Sequence, residues 1–242
     1  MEAETPTARR HWLIEFYGST VGKKWVMAIT GILLMGFVVF HMIGNLKVFV
    51  PPVEGELEIN LYGEWLRTVL FPALPHYVFL WILRLGLIAA TVLHVEAMIS
   101  LTRRNATAKP QGYTKQQFQA ATYASRTMRL TGPLVLAFVV FHLADLTWGI
   151  APFNPDFIHG DVAHNMMASL TRAGWVFFYA VANIALGYHL WHGLWSMFQS
   201  LGLNNPRYNA ARRLFAQGLT VIVVGGNLLI LAGVFFGFAP GI

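Results

Sequence analysis

The amino-acid sequence predicts an all-α integral membrane protein, a single bundle of five transmembrane helices. Three observations carry that prediction. The 242-residue chain is 56% hydrophobic and 12% charged, whereas ordinary soluble domains are about 45–50% and about 25%. Its mean hydropathy is +0.53. Five segments are each long enough to cross a bilayer, which takes about 20 apolar residues, and basic residues collect on alternate connections between them. A chain of this length leaves no room for a large soluble domain beside such a bundle. Its net charge of +6 forms no continuous stripe suited to nucleic acid and fits a membrane-orientation signal instead.

The elements follow in order. Residues 1–22 are too polar to span, and residues 1–11 carry both charge signs, unlike a secretory signal. Trp12, Leu13, Ile14, Phe16 and Tyr17 near basic residues suit an interfacial helix or docking arm. Residues 1–24 are therefore expected as a cytoplasmic arm and 25–242 as the bundle. The spans are predicted at residues 25–50, 77–101, 130–150, 174–200 and 214–238. Pro51-Pro52 closes the first and Pro152 follows the third, because proline cannot continue a helix. Gly31, Gly187 and Gly225-Gly226 allow close helix approach. The connections 51–75 and 151–172 are expected to hold short helices, and 105–125 to be a solvated basic loop. Thirteen of the 17 basic residues fall on one side, and Glu54, Glu56, Glu58, Glu64, Asp156 and Asp161 on the other. The positive-inside rule then puts the N-terminus in the cytoplasm and the C-terminus outside, which requires an odd number of spans.

Histidines inside the apolar segments carry the functional information: His41, His94, His142 and the pair His189/His192. An ionisable residue at membrane depth is costly and marks a functional site by default. Two of these histidines close a duplicated segment. Residues 25–41 read WVMAITGILLMGFVVFH and residues 126–142 read RTMRLTGPLVLAFVVFH, at a constant offset of 101. At 1.5 Å per residue His41 lies about 26 Å beyond Lys24, and His142 takes the same depth on a parallel helix. His94, on an antiparallel helix, sits roughly 13 Å from the inner boundary, near the level of His189 and His192. Two pairs at two depths result: His41 with His142 outside, His94 with His192 or His189 inside. Neutral imidazoles on facing helices are natural axial ligands of haem iron, and two of them saturate it for electron transfer. His189 and His192 face similar directions, so one is expected to ligate and the other to hydrogen-bond a propionate or quinone.

Other polar residues fit around this set. Glu96 and Asp145 lie close in sequence to His94 and His142, where a carboxylate can orient the second imidazole nitrogen. Arg84 is placed to neutralise a haem propionate. His159 and His164 have a spacing compatible with metal, but an ordinary loop explains them better. The absence of cysteine excludes covalent c-type haem attachment and an iron–sulfur cluster bound by this chain alone. No GxGxxG dinucleotide fingerprint is present.

The chain resembles the single-chain, five-helix cytochrome b-type membrane anchor of succinate dehydrogenase and fumarate reductase, respiratory complex II. The resemblance is carried by residues 19–24 with Met27 and Thr30-Gly31, then His41 with Gly44-Asn45-Leu46, then Asn60 and Tyr62. It continues through His94, the Met128…Thr131-Gly132…Phe138…His142 block and HLWHGLWSMFQSLGLNN at 189–205. It implies two b haems, with His41 and His142 for the distal one. For the proximal one it implies His94 and the histidine of His192-Gly193, with His189 the open alternative. It also implies a bound quinone, menaquinone or ubiquinone, and flavoprotein and iron–sulfur partner subunits on the cytoplasmic face. The setting would be a bacterial-type cytoplasmic membrane.

Succinate chemistry would belong to the partner's flavin, and this chain would pass electrons on to quinone. Quinone is expected near Ser19, Lys23, Trp25 and His189/His192 at the inner end, where two protons and two electrons must meet in an apolar slot with hydrogen-bond donors. An outer site near Glu58, Glu64 and His76 is the rival. Two alternatives use the same histidines differently. One is a Rieske-type iron–sulfur centre whose thiolates come from a partner; the other is a proton-conducting transporter bundle.

Overall fold

The computed structural model describes residues 11–108 and 123–242, with the backbone alone for 123–127. The first ten residues of the arm and most of the 105–125 loop, with Arg9, Arg10, Lys109 and Lys115, lie outside the described residues. Eight α-helices are formed among those described: α1 (Trp12–Gly18), α2 (Thr20–Asn45), α3 (Glu58–Thr68), α4 (Val78–Thr107), α5 (Tyr123–Leu146), α6 (Val162–Leu170), α7 (Ala173–Ser200) and α8 (Asn209–Phe235). α2, α4, α5, α7 and α8 are the five helices long and apolar enough to cross a membrane. α1, α3 and α6 are short and lie outside the spans.

Local chemistry explains where the helices begin and end. The first spanning helix starts at Thr20, five residues before the predicted span. The Ser19 hydroxyl caps it by accepting from the Gly22 amide at 2.9 Å. That start draws Lys23 and Lys24 into the span and leaves α1 as the helix of the arm among the described residues. Gly22 is needed there, because a Cβ would collide with the Phe16 carbonyl. α5 stops at Leu146, short of the predicted 150. Its last carbonyls are taken up by the amides of Trp148 and Ile150 as the chain turns through Gly149 at φ +60°. The expected helices in both outer connections are present as α3 and α6.

The bundle is two antiparallel pairs and a closing helix. α2 packs along α4, α5 packs along α7, and α8 packs on α7 while touching α2. Without water inside the bilayer, association depends on close packing between small residues. A Cβ on Gly187 would meet Val224, one on Gly226 would meet Met42, and one on Gly233 would meet Phe49. α4 is peripheral: only 6% of its most apolar window is buried in protein, against 33% in α7 and α8. The main apolar core sits toward one end, where α6 brings Ala163, Met166 and Leu170 against Met42, Ile59, Ile230 and Val234.

α3 and α6 are latched together at that end. Asn60 donates to Asp161 at 3.0 Å and accepts from the Ala163 amide at 2.9 Å. Asp161 also caps α6 by accepting from the His164 amide at 2.9 Å. That backbone hydrogen bond, with the one from Asn60, holds the Asp161 carboxyl below its ordinary carboxylate range. A depressed carboxylate contributes stability above its unfolded pKa and loses it as pH falls toward the folded one. Asp161→Ala is expected to reduce the unfolding free energy by about 1–2 kcal/mol at neutral pH. The difference from the parent should shrink below about pH 4, which thermal unfolding in detergent at several pH values measures.

Candidate functional site

The repeat is visible in the side chains at one end of the bundle. α2 and α5 bring His41 and His142 together with ring centroids 5.8 Å apart and planes at 81°. In each helix the phenylalanine four residues earlier packs on the histidine ring: Phe37 on His41 at 5.2 Å and Phe138 on His142 at 5.7 Å. His142 Nδ1 lies 3.3 Å from the hydroxyl of Tyr179 on α7. That hydroxyl gives its one proton to Asp145 Oδ2 at 2.7 Å. The tyrosine oxygen must then accept, so Nδ1 of His142 carries the proton and Nε2 keeps its lone pair.

The second pair lies about one helical segment away along α2. His94 of α4 faces His189 of α7, with centroids 6.3 Å apart and planes at 60°. His94 Nδ1 is 3.1 Å from the Met27 carbonyl and 3.1 Å from Thr30 Oγ1. A carbonyl only accepts, so here too Nδ1 is protonated and Nε2 bare. Gly31 lies against His94 and Gly132 against His189, a Cβ on each meeting the ring at 3.4 and 3.7 Å. The duplicated Thr-Gly therefore does one job twice: it lets the edge of an imidazole approach the neighbouring helix backbone. His189 Nδ1 and Thr131 Oγ1 are buried without hydrogen-bond partners, although the equivalent atoms of His94 and Thr30 meet. From Thr30 to His41 is eleven residues of α2, so the pairs stand roughly 16 Å apart in depth.

These side chains fit a metal held between two imidazoles. Metal–nitrogen bonds would be ~2 Å long, so one ion could be held by two imidazoles whose centroids stand 5.8 or 6.3 Å apart. Two bare Nε2 atoms are already fixed by bonds at Nδ1, as in ligating histidines generally. Among the described residues no cluster of three or more His, Asp or Glu side chains could hold a metal; the facing imidazoles are the two pairs His41/His142 and His94/His189. The fourth intramembrane partner is His189, which faces His94; His192 lies one turn further along α7.

The remaining expected residues are distributed as follows. Arg84 is exposed on α4 and stacks on Trp81 at 5.1 Å. It lies ten residues before His94, just as Tyr179 lies ten before His189, so matched positions carry an arginine in one helix pair and a tyrosine in the other. Ser19 is engaged as the α2 cap and donates to the Phe16 carbonyl at 2.7 Å. Lys23 is only 4% exposed, 2.6 Å from both Glu96 carboxylate oxygens and over the Tyr17 ring at 3.5 Å. Tyr17 donates to the same carboxylate at 2.6 Å. Glu96 thus binds α1 and α2 to α4, while Asp145 reaches His142 through Tyr179. Trp25 is 40% exposed. Beside Glu96 a groove of about 740 Å³ runs along Val95, Ser100, Arg103 and Arg104 of α4 to Leu136 of α5.

At the opposite end Glu58 pairs with Lys47 at 3.1 Å and Glu64 with Arg67 at 2.9 Å. His76 packs edge-on against Phe71. His164 Nε2 contacts the Asp156 carbonyl at 2.8 Å and His159 packs on Phe157, which is ordinary loop packing. Sequence reasoning missed Tyr179 and Ser169, and placed Tyr17 in the arm without its bond to Glu96. Tyr179 alone left a trace, a hydroxyl-bearing aromatic in a largely apolar helix ten residues ahead of His189.

A five-span helical membrane protein with two pairs of facing imidazoles at different depths defines the class. The chain belongs to the succinate dehydrogenase/fumarate reductase transmembrane subunit family, whose profile matches residues 102–226, just over half of its length. It is therefore an integral membrane subunit of a succinate dehydrogenase/fumarate reductase, part of an oxidoreductase complex. The matched stretch holds His142, Tyr179, His189 and His192, while His41 lies on the duplicated half outside it. No curated protein and no solved structure matches the chain.

The Lys23–Glu96 pair is half-buried, with Lys23 inside the bundle and Glu96 43% exposed. Glu96→Ala, which leaves Lys23 without its carboxylate, is expected to lower the unfolding free energy by about 1 kcal/mol. Lys23→Met combined with Glu96→Leu should recover most of that loss. Equal losses for the single and double variants in detergent unfolding would contradict the pairing.

Proposed function

We propose that this chain anchors a flavoprotein and an iron–sulfur subunit at the membrane and carries two b haems and a quinone site for electron transfer. The carrying observation is the two facing imidazole pairs, at 5.8 and 6.3 Å, with Nδ1 of His142 and His94 tied back into the protein. His41 and His142 would hold the outer haem, His94 and His189 the inner one. When bound, such haems supply one-electron carriers at two depths of the bilayer. The protein's own part is to fix the imidazole tautomers, align the rings, and keep the centres within apolar surroundings. Arg84, level with the outer pair, would face a propionate. His192, one turn beyond His189, would hydrogen-bond a propionate or the quinone.

The basic end of the bundle is proposed as the cytoplasmic, partner-facing side, by the positive-inside rule. Lys23, Lys24, Arg103, Arg104, Arg207, Arg212 and Arg213 all lie at that end of their helices, as does the exposed apolar face of α1 with Trp12 and Ile14. Quinone is placed at the same end, beside Trp25 and the groove at Glu96, near Ser19 and Lys23. Ser19 and Lys23 already have internal partners, so Trp25 is the member of that set with free surface. The outer rival residues Glu58 and Glu64 each have a basic partner, which favours the inner placement. A bacterial-type cytoplasmic membrane remains the proposed location. Family membership disfavours the transporter alternative, and the facing of each imidazole on one from another helix of the same chain disfavours a centre sharing ligands with a partner chain.

The reduced-minus-oxidised spectrum of the purified complex, with pyridine haemochrome quantitation, tests the ligand set. His41→Ala and His142→Ala should each remove one haem and leave the other. His94→Ala and His189→Ala should remove the second, and His192→Ala should keep both. Full haem content in His189→Ala with loss in His192→Ala would reverse the inner assignment. For the quinone, Trp25→Phe should raise the apparent quinone KM several-fold while succinate oxidation with an artificial acceptor is unchanged. An effect confined to Glu58, Glu64 or His76 variants would move the site to the outer face.

A further inference from the structure

Asp145 is fully buried near the end of α5, at the edge of the membrane span. Its Oδ2 accepts two hydrogen bonds, from Ser169 of α6 at 2.6 Å and from Tyr179 of α7 at 2.7 Å. Its Oδ1 makes no hydrogen bond and lies 3.8 Å from the Arg172 guanidinium. Arg172 is held in turn by the Phe153 carbonyl and stacks over Trp175 at 5.2 Å. A buried carboxyl group is expensive unless its partners are strong, and this one is served by three segments of chain. All of that effort converges on one hydroxyl, Tyr179, which is itself 4% exposed and contacts His142.

Resting on the proposed haem ligation, we infer that Tyr179 and Asp145 are positioning residues for His142, forming a tether from Nδ1 through a phenol to an anchored carboxyl. The hydroxyl has one proton and spends it on Asp145, so only its lone pairs face the imidazole. His142 must present Nδ1–H toward Tyr179 and keep Nε2 unprotonated, and the ring cannot turn over without losing that bond. Phe138 packs on both rings, 5.7 Å from His142 and 5.1 Å from Tyr179, which closes the side from which the phenol could swing away. A ligating imidazole whose second nitrogen leads to a carboxyl is a stronger donor to its metal. The repeat does not duplicate the tether: the position on α4 that matches Tyr179 is Arg84, whose guanidinium cannot accept a hydrogen bond. Ser169 places the last link on α6, so the cap that closes this end of the bundle also sets the orientation of the ligand.

The test uses the whole complex purified from membranes. Tyr179→Phe keeps the ring and removes only the hydroxyl. It should retain both haems by pyridine haemochrome yet change the outer centre alone. Its low-temperature EPR signal, which reports the angle between the two imidazole planes, should shift, and its midpoint potential should rise as electron donation weakens. Asp145→Asn, which keeps an acceptor for the phenol, should leave the EPR shape of the parent and raise only the potential. If Tyr179→Phe fails to assemble, the Asp145→Asn titration decides: an outer-centre potential equal to the parent's overturns the tether. Two haems in the parent with an unchanged outer centre in both variants overturns this inference alone. A parent complex without haem overturns the ligand reading and the tether together.

Discussion

A polar side chain carried to membrane depth is best placed where it finds a partner inside the bundle, because lipid offers none. The structure is organised around that constraint. Lys23 is driven onto Glu96 and Tyr17, Asp145 onto Ser169, Tyr179 and Arg172, His94 onto Met27 and Thr30. Each cluster joins different helices, so the polar contacts also decide which helices are neighbours. Glycines at the same levels allow the approach: Gly31 and Gly132 leave space in which an imidazole can lie against a backbone. In water such contacts would add little to stability. In a bilayer they set the register of one helix on another.

The internal repeat gives this arrangement its symmetry and shows where it has diverged. α2 with α4 and α5 with α7 are two versions of one helix pair, each with Thr-Gly facing an imidazole and Phe-x-x-x-His at the far end. The versions differ in the support given to the rings. In one, His94 is bonded to Met27 and Thr30; in the other, Thr131 and His189 lie close by without that bond. At the far end one version offers Tyr179 and the other Arg84. Two sites built from one plan thus receive different polar surroundings, which is how a protein distinguishes two otherwise similar centres.

The membrane class, the five spans and the facing of His41 on His142 were legible because they follow from hydropathy and a long duplicated string. The choice between His189 and His192 was not. Both sit on nearby faces of α7, and only the approach of α5 at Gly132 decides which ring meets His94. Helix ends were legible where proline forces them and misplaced where a serine cap at Ser19 or a turn at Gly149 does. The roles of Ser19 and Lys23 in capping and ion pairing needed the packing of α1 and α4, which no local pattern encodes. Tyr179 was missed for a similar reason: its importance comes from Asp145, 34 residues away in sequence, and from α6 folding over both.

Two facing imidazole pairs, in a membrane subunit of a succinate dehydrogenase/fumarate reductase, are the centre of the account. The haem-to-chain ratio of the purified complex tests it most directly, with haem b and total iron quantified against this subunit and corrected for iron in the partner subunits. Two b haems per chain is the predicted result. A complex that contains this chain, turns over succinate, and holds no haem b would contradict it.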